Sequence, residues 1–490
     1  MNQDRRAFLS GSARLGAAAI AGTALWRMAP ALAQSRPGRE LATLSIAELS
    51  RLLAGRKITS RQLVEQALAA IADPQGEGAR TFLLVYQREA LAAADRVDAQ
   101  RRSGTPLHPL AGIPISLKDL FDQAGVATLG ASKVLVGTPP ATQDSTVAAR
   151  LSNAGAVIVG RTTLTEFAYS CLGVNPHYGT PRNAFDRATG RVPGGSTSGG
   201  AVSVTDGMAA GAIGTDTGGS VRIPAALNGL VGFKPTARRV PRDGMLPLSF
   251  TLDSVGPIAR TVADCILLDR VLSAERDSVP VAARLRGLRF AVPTTVFQDD
   301  LAPAVAGAFT AALGRLSGAG ATIVELPMVE FAQAAIANPR GAITSTEAYA
   351  WHNRLMKDRA DGYDPRVISR IRAGETMSAA SYIEMLQLRE GFIRAINAAA
   401  GGYDAMLMPT TPDTAPTIAD ATRDDEAYFR MNSRMCRNPS IVNLFDGCAL
   451  SIPCHDPGSA PVGFMVAGTH NTDRRILSIG LAVERVLRRS

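Results

Sequence analysis

The chain has 490 residues, 46% of them hydrophobic and 19% charged, a composition that is typical of globular proteins and excludes disorder throughout. Its formal net charge is +9, but the basic residues are scattered singly or in pairs, so the charge does not indicate nucleic-acid binding. Beyond the amino-terminal segment, no apolar run approaches the roughly 18 residues of a membrane span, and we expect no stable span in the mature chain.

The first 33 residues have the pattern of a twin-arginine export signal. Paired arginines occur in DRRAFL (4–9), an apolar stretch rich in Ala and Gly follows at 15–25, and AlaLeuAla at 31–33 forms an A-x-A cleavage site. The apolar stretch is too short to span a bilayer permanently. We therefore predict a signal peptide over 1–33 and a mature domain over 34–490, exported by the twin-arginine machinery into a bacterial periplasm or secreted.

The predicted mature chain begins with two sequence patterns that are typical of helix starts. Ser45-Ile-Ala-Glu48 and Thr59-Ser-Arg-Gln62 both match the capping box that starts a helix, and apolar residues then recur at helical spacing through Leu53 and Ile71. These patterns predict two helices, followed by a strand at 82–85 (FLLV) and an Ala-rich helix at about 88–102.

From residue 110 onward, short apolar runs alternate with Gly-rich turns. The predicted strands are GIPISL, AVIVG, GAIGT and LVGFK, and beyond residue 285 LRFAVP, ATIVELP, AMLMPT, ALSIPC and GFMVAG. Further helices are predicted at about 302–317, 378–400 and 473–488. Because the runs lack polar alternation, both faces of each strand should be covered. We predict an α/β protein with one large domain, in which helices cover both faces of a mixed central β-sheet.

The cysteines give little sign of a metal site or a disulfide framework. There are five, an odd number, and no two have CxxC spacing. They are predicted to be small buried residues, with a single isolated disulfide left open. The five cysteines are Cys171, Cys265, Cys436, Cys448 and Cys454.

The stretch GTDTGGSVRIP (214–224) allows three interpretations: half of an aspartic protease dyad, a phosphate-binding turn, or a loop around a reactive serine. A second D-[TS]-G, which the protease dyad needs, does not occur in the chain. The patterns GxxxxGK[ST], GxGxxG, GxSxG and HExxH are not found at these glycines or serines. None of the five histidines has a motif-like setting, so a histidine base is not evident.

A serine mechanism with a lysine base remains. Ser196 lies in PGGSTSGG (193–200), Ser220 follows 24 positions later, and Lys118 ends the apolar run GIPISL. A serine hydroxyl must lose its proton as it attacks, and a lysine that burial keeps neutral can accept that proton. A second hydroxyl can relay the proton. Taken singly, a Gly/Ser loop is usually a helix cap or linker, and a lysine after a strand is usually solvated.

Taken together, these segments resemble the amidase signature family. GIPISLKD matches the lysine segment of that family, and PGGSTSGGAV through GTDTGGSVRIPAALNGLVGFKPT matches its signature in order and spacing. GRTTLTEFAYS, NLFDGCALSIP and PVGFMVAG are also similar, although Arg161 and Thr163 depart from the commoner Lys and Asn. The resemblance runs from about 45 to 488, with the signature core at about 110–240.

The resemblance implies roles for the site residues. Ser220 would be the nucleophile, Ser196 the bridging serine after a cis peptide bond from Gly195, and Lys118 the general base. The backbone N–H groups that would form an oxyanion hole are those of Thr217, Gly218, Gly219 and Ser220.

Around this triad, the resemblance pairs Asp216 with Arg222 to fix the turn. It implies that the side chains of Thr197 and Ser198 form hydrogen bonds around the site, and that Lys234 has a structural role. Three residues after the third strand could line the pocket or pack in the core: Phe167, Tyr169 and Cys171.

We therefore expect an enzyme that hydrolyses a small-molecule carboxamide without metal or cofactor. If Lys118 must be neutral, activity should rise from neutral toward mildly alkaline pH. Substrate specificity should lie largely between about 270 and 400. The alternatives are the amidotransferase A-type subunit that makes glutaminyl-tRNA, which export argues against, and a periplasmic binding protein without turnover. A homodimer is suggested by the resemblance alone.

Overall fold

An eleven-stranded mixed β-sheet organises residues 43–488, the part of the chain that the computed structural model describes. The predicted export signal over 1–33 lies outside these described residues. In chain order the strands are β1 (Phe82–Val85), β2 (Pro114–Lys118), β3 (Val157–Thr162), β4 (Gly211–Asp216), β5 (Val231–Lys234), β6 (Ser254–Ala259), β7 (Arg289–Pro293), β8 (Thr322–Leu326), β9 (Ala405–Pro409), β10 (Cys448–Pro453) and β11 (Gly463–Gly468).

The order of strands across the sheet is β1-β3-β2-β4-β6-β5-β10-β11-β9-β7-β8. Strand β2 runs parallel to β3 and β4, and β7 runs parallel to β8 and β9. The other neighbouring pairs are antiparallel. The predicted mixed sheet is thus confirmed, and β2, β4 and β6 lie side by side in its interior.

Helices connect the strands and cover the sheet. They are α1 (Ile46–Ala54), α2 (Ser60–Ala72), α3 (Gly78–Thr81), α4 (Gln87–Arg102), α5 (Thr146–Asn153), α6 (Ser198–Thr205), α7 (Arg222–Leu227), α8 (Val262–Ser273), α9 (Pro303–Gly318), α10 (Ala334–Ala337), α11 (Ala342–Arg359), α12 (Pro365–Arg372), α13 (Ala379–Ala400), α14 (Ile418–Thr422), α15 (Asp425–Leu444) and α16 (Asp473–Leu487). Within residues 43–488, no helix combines the length and the apolar character that crossing a bilayer requires.

Both faces of the sheet are buried, in separate hydrophobic clusters. Leu450 of β10 and Phe464 of β11 belong to the larger cluster, whereas Ala449 and Met465, their neighbours along each strand, belong to a second one. Successive side chains of a strand point to opposite faces. Alternation between two clusters therefore means that helices pack on each side, as the apolar runs predict.

The local predictions for the first helices are confirmed by their capping geometry. Ser45 accepts a hydrogen bond from the N–H of Glu48, and the Glu48 side chain accepts one from the N–H of Ser45. Thr59 and Gln62 form the same reciprocal pair at the start of α2. The strand at 82–85 and the Ala-rich helix also lie where they are predicted.

Strand β6 is absent from the sequence predictions. Its residues, SVGPIA, include Gly256 and Pro257, and both types are unfavourable in a central strand. Even so, β6 pairs with β4 on one side and with β5 on the other. Tertiary pairing overrides local propensity at this strand.

Gly256 is required by the close approach of β5. A Cβ atom at this position would lie 2.0 Å from the carbonyl oxygen of Phe233. We therefore predict that Gly256→Ala lowers the free energy of unfolding by about 1–3 kcal/mol or more, measured by urea denaturation.

Gly307 provides the matched control, because a Cβ atom there meets nothing within 4 Å on an exposed helix surface. Gly307→Ala should be neutral or stabilising by up to about 1 kcal/mol. Equal effects of the two substitutions would contradict the assignment of Gly256 to a close strand contact.

Candidate active site

Lys118 is the last residue of β2, and its amine is fully buried. Ile115 and Leu117 pack in the larger cluster, so Ser116 and Lys118 project from the opposite face. The Lys118 Nζ atom lies 2.8 Å from Ser196 Oγ and 2.8 Å from Thr215 Oγ1. Burial lowers the pKa of Lys118 from 10.5 to about 7, although Asp253 and Asp216 act in the opposite direction.

Ser196 approaches Lys118 from the loop before α6. The peptide bond between Gly195 and Ser196 is cis, as the resemblance implies. The carbonyl oxygen of Ser196 accepts hydrogen bonds from the N–H groups of Thr165 (3.2 Å) and Ser198 (2.9 Å). This loop is therefore held by its backbone, which leaves the Ser196 hydroxyl facing the lysine amine.

Ser220 lies on the loop between β4 and α7 and lines a cavity of about 690 Å³. Its carbonyl oxygen accepts a hydrogen bond from the N–H of Thr197 at 3.2 Å, which joins the two serine loops. Within residues 43–488, the Ser220 hydroxyl has no hydrogen-bond partner, and Ser196 is not bonded to it. The structure thus joins Lys118 to Ser196 directly and leaves the Ser220 hydroxyl free at the cavity wall.

The backbone of the Ser220 loop offers three N–H groups rather than the predicted four. The N–H of Gly219 donates to the Asp216 carboxylate at 2.9 Å, so it is occupied, which corrects the prediction for this residue. The N–H groups of Thr217, Gly218 and Ser220 have no partner among the described residues. Gly219 instead provides the turn, because its φ is +119° and a Cβ there would lie 2.6 Å from Pro439 Cβ.

Asp216 fixes this loop through a buried ion pair. Its carboxylate accepts hydrogen bonds from Arg222 Nε (3.0 Å) and Nη2 (2.9 Å), as well as from Asn443 Nδ2 (2.9 Å). Burial alone would raise the pKa of Asp216, but the Arg222 guanidinium outweighs it and holds the pKa well below its usual range. The D-T-G tripeptide therefore serves to shape the loop.

Two residues near the lysine and one near the ion pair are absent from the sequence predictions. Thr215 accepts the second hydrogen bond of Lys118, and Asp253 accepts one from the Thr217 hydroxyl. Burial raises the pKa of Asp253 from 3.8 to about 6, against the hydrogen bonds that it accepts. Asn443 bonds both members of the ion pair. The position one residue before D-T-G could have indicated Thr215, but no local pattern marks Asp253 or Asn443.

The cavity wall combines distant parts of the chain. Segment 168–171, the Ser220 loop, residues between 331 and 344, and one side of α15 all contribute. Tyr169 and Cys171 line it, whereas Phe167 packs edge-on against His352 in a core cluster with ring centroids 4.4 Å apart. Helices α11 and α15, which frame this wall, are not among the sequence predictions.

Cys171 and Cys436 form a disulfide in the cavity wall, with their Cα atoms 6.0 Å apart. The isolated bridge that the cysteine count leaves open is thus present, and the preferred prediction of five separate thiols is wrong for this pair. Cys265, Cys448 and Cys454 are free and buried, as predicted.

The remaining predicted residues have mixed outcomes. The Ser198 hydroxyl is buried without a hydrogen-bond partner in the described chain, so its predicted hydrogen bond is not formed. Thr197 Oγ1 lies 3.5 Å from the carbonyl oxygen of Thr215. Lys234 donates to the carbonyl oxygens of Pro235 and Gly447, each at 2.7 Å. Among residues 43–488, no group of three or more His, Cys, Asp or Glu side chains is arranged to hold a metal ion.

This fold, together with similarity to known proteins, defines the chain as an amidase. The amidase family model matches residues 62–477, and the chain belongs to that family of amidase signature enzymes. It is 36% identical to the 2-amino-5-chloromuconic acid deaminase of Comamonas testosteroni over 91% of this chain and 96% of that protein. It is 34% identical to the A-type subunit of the glutamyl-tRNA(Gln) amidotransferase of Symbiobacterium thermophilum, over 90% and 96%.

Among solved structures, a crystal structure of an amidase covers 91% of this chain and 100% of its own, with 30% identity and a TM-score of 0.81. The predicted fold is therefore confirmed, and the protein is an amide-hydrolysing enzyme.

Proposed function

We propose that the protein hydrolyses a carboxamide through an acyl-Ser220 intermediate, with Lys118 as general base and Ser196 as relay. The observation that carries the proposal is the buried Lys118 amine, bonded to the Ser196 hydroxyl beneath a cavity that Ser220 lines. Nucleophilic catalysis by serine needs a base that is neutral near the working pH. A lysine with a pKa of about 7 meets that condition.

In the first half of the reaction, Ser220 Oγ attacks the amide carbon while its proton passes to Ser196, whose own proton passes to Lys118. The N–H groups of Thr217, Gly218 and Ser220 stabilise the oxyanion that forms. Collapse of the tetrahedral intermediate breaks the C–N bond, and the proton returns through Ser196 to the leaving amine. Water then attacks the acyl-enzyme by the same relay, which releases the acid and regenerates the Ser220 hydroxyl.

The nucleophile is tested without knowledge of the substrate by a fluorophosphonate that modifies activated serines. We expect a single adduct on Ser220, located by peptide mass spectrometry, which Ser220→Ala abolishes. Lys118→Ala should slow its formation by about 10²–10⁴-fold, since the general base is lost. Lys133→Ala, which removes an exposed lysine, is the control and should label at the unaltered rate.

An adduct on Ser196 or Ser198 would show that the serines are assigned wrongly. Folded protein that gives no adduct while retaining an amide ligand would support a binding protein without turnover.

The pH dependence of labelling reports the state of the base. Below a pH of about 7 the Lys118 amine is protonated and cannot accept a proton, so the rate should rise roughly tenfold per pH unit there. Above about pH 8 nearly all of the amine is neutral, so the rise should level off in the mildly alkaline range. We expect this profile from fluorophosphonate rate constants measured across pH on the wild-type protein. A rate that is highest in acid would contradict a neutral lysine base.

The similarity to an amidotransferase A-type subunit supplies a second candidate function. That function needs a partner that receives ammonia, whereas the proposed hydrolase needs none. The test is whether the purified chain alone releases ammonia or an amine from an amide. Release at a rate that no added partner increases would support the hydrolase.

We further propose that the enzyme is exported, in keeping with the arginine pair of DRRAFL (4–9). The Cys171–Cys436 disulfide supports this location, because disulfides persist mainly in oxidising compartments. We expect the full chain, produced in a bacterium with a twin-arginine system, to accumulate in the periplasm. Replacing Arg5 and Arg6 by Lys should retain it in the cytoplasm, as cell fractionation would show. Equal periplasmic amounts of both forms would contradict twin-arginine export.

A further inference from the structure

The cavity beside Ser220 carries an excess of positive charge. Three arginines line it, Arg340, Arg370 and Arg437, and no Asp or Glu is among its lining residues in the described chain. They come from three separate elements: the turn at Pro339–Gly341, helix α12 and helix α15. A cavity built only for neutral amides has no need of three cations, and keeping two of them, Arg370 and Arg437, half-buried without an ion pair is unfavourable.

Arg370 is held in place by uncharged groups. Its Nη1 atom donates to the carbonyl oxygen of Tyr169 at 2.6 Å, and its guanidinium lies over the Tyr169 ring, 4.1 Å from the centroid. It forms no ion pair with a carboxylate among residues 43–488. The guanidinium is therefore oriented by a residue of the same cavity wall, and its remaining N–H groups are available to a ligand.

Arg437 is held in a similar way on α15. Its Nε atom donates to Asn438 Oδ1 at 3.1 Å, and its Nη2 atom donates to the carbonyl oxygen of Asp299 at 2.5 Å. It too forms no ion pair within the described chain, although the Asp299 and Asp300 carboxylates lie near enough to attract it, and Arg340 is exposed and likewise unpaired.

Two arginines of the same helices that lie outside the cavity lining, Arg366 and Arg434, are paired with carboxylates. Arg366, one turn before Arg370, lies 2.7 Å from an Asp425 carboxylate oxygen. Arg434, three residues before Arg437, lies 3.1 Å from an Asp413 carboxylate oxygen and also pairs with Asp300. Arg370 and Arg437 thus lack the carboxylate partner that Arg366 and Arg434 have; Arg372 of α12 also forms no ion pair within the described chain, but it is exposed and lies outside the cavity lining.

We infer that the substrate is an acidic amide, a carboxamide that also carries a carboxylate, which Arg370 and Arg437 bind within the cavity. This inference rests on the proposed function, since it places the amide carbon at Ser220. Guanidinium groups match carboxylates in shape and form charge-assisted hydrogen bonds with them. The carboxylate supplies the negative charge that the cavity wall lacks.

The test compares fluorophosphonates that differ only at one remote end, carboxylate against carboxamide. Two matched pairs of probes are used. In one pair the variable group is on the alkyl chain, and in the other pair it is on the alkoxy chain. The two pairs together represent substrates whose carboxylate lies on either side of the amide. We expect the carboxylate member of at least one pair to modify Ser220 about tenfold or more faster than its carboxamide partner. This preference should weaken at high salt, because screening reduces the attraction.

Arg370→Gln and Arg437→Gln locate the carboxylate. Each should lower the carboxylate-to-carboxamide rate ratio severalfold, toward one, in protein whose melting temperature shows that it is folded. Arg366→Gln and Arg434→Gln are the matched controls, since they remove arginines of the same helices that are paired outside the cavity. Both controls should keep the ratio of the wild-type protein.

Equal rates within both pairs would overturn the acidic-amide inference while leaving Ser220 as the nucleophile. A ratio that falls equally in the control variants would also overturn it, because the effect would then come from net charge. If no probe modifies Ser220 in folded protein, the proposed function itself fails, and the inference fails with it.

Discussion

The burial of the Lys118 amine is the constraint on which the site depends. The end of β2 carries the amine into the interior, where its two partners are hydroxyl groups rather than carboxylates. A carboxylate in direct contact would hold the amine protonated and remove it as a base. The two nearby carboxylates are engaged elsewhere, Asp216 by Arg222 and Asn443, and Asp253 by Thr217.

The same arrangement explains why the D-T-G tripeptide misleads when it is considered alone. Asp216 accepts hydrogen bonds from the N–H groups of Gly219 and Val221, so the carboxylate bends the chain around itself. The neighbouring N–H groups of Thr217, Gly218 and Ser220 are left without partners in the described chain, and all three residues line the cavity. A buried ion pair here is a means of holding a backbone shape and has no need to take part in proton transfer.

Local sequence signals predicted much of the fold, because capping boxes and apolar runs act over a few residues. The helices that begin after Ser45 and Thr59 are examples, as is the run that ends at Lys118. Strand β6 could not be predicted, because Gly256 and Pro257 disfavour a central strand locally and the strand is formed only by its pairing with β4 and β5. The candidate catalytic residues were found through resemblance, whereas Asn443 and Asp253 reach the site by tertiary contacts that no short motif records.

The arginines of the cavity could not be identified from the sequence either. Nothing in the sequence separates Arg370 from Arg366, or Arg437 from Arg434, until the structure shows which of them meet carboxylates. Charge totals alone therefore say little about ligand preference, because it is the unpaired charges at one place that matter.

The disulfide between Cys171 and Cys436 affects how inhibitors of this enzyme must be interpreted. Protein made in a reducing host would carry two thiols in the same wall as Ser220. Mercurials and alkylating agents could then block the cavity and abolish turnover, and the enzyme would be mistaken for one with a cysteine nucleophile. Oxidised preparations would resist the same reagents, since the remaining described thiols are buried. Whether this disulfide is oxidised or reduced in a sample thus determines whether an inhibitor survey assigns the enzyme to the serine or to the cysteine class.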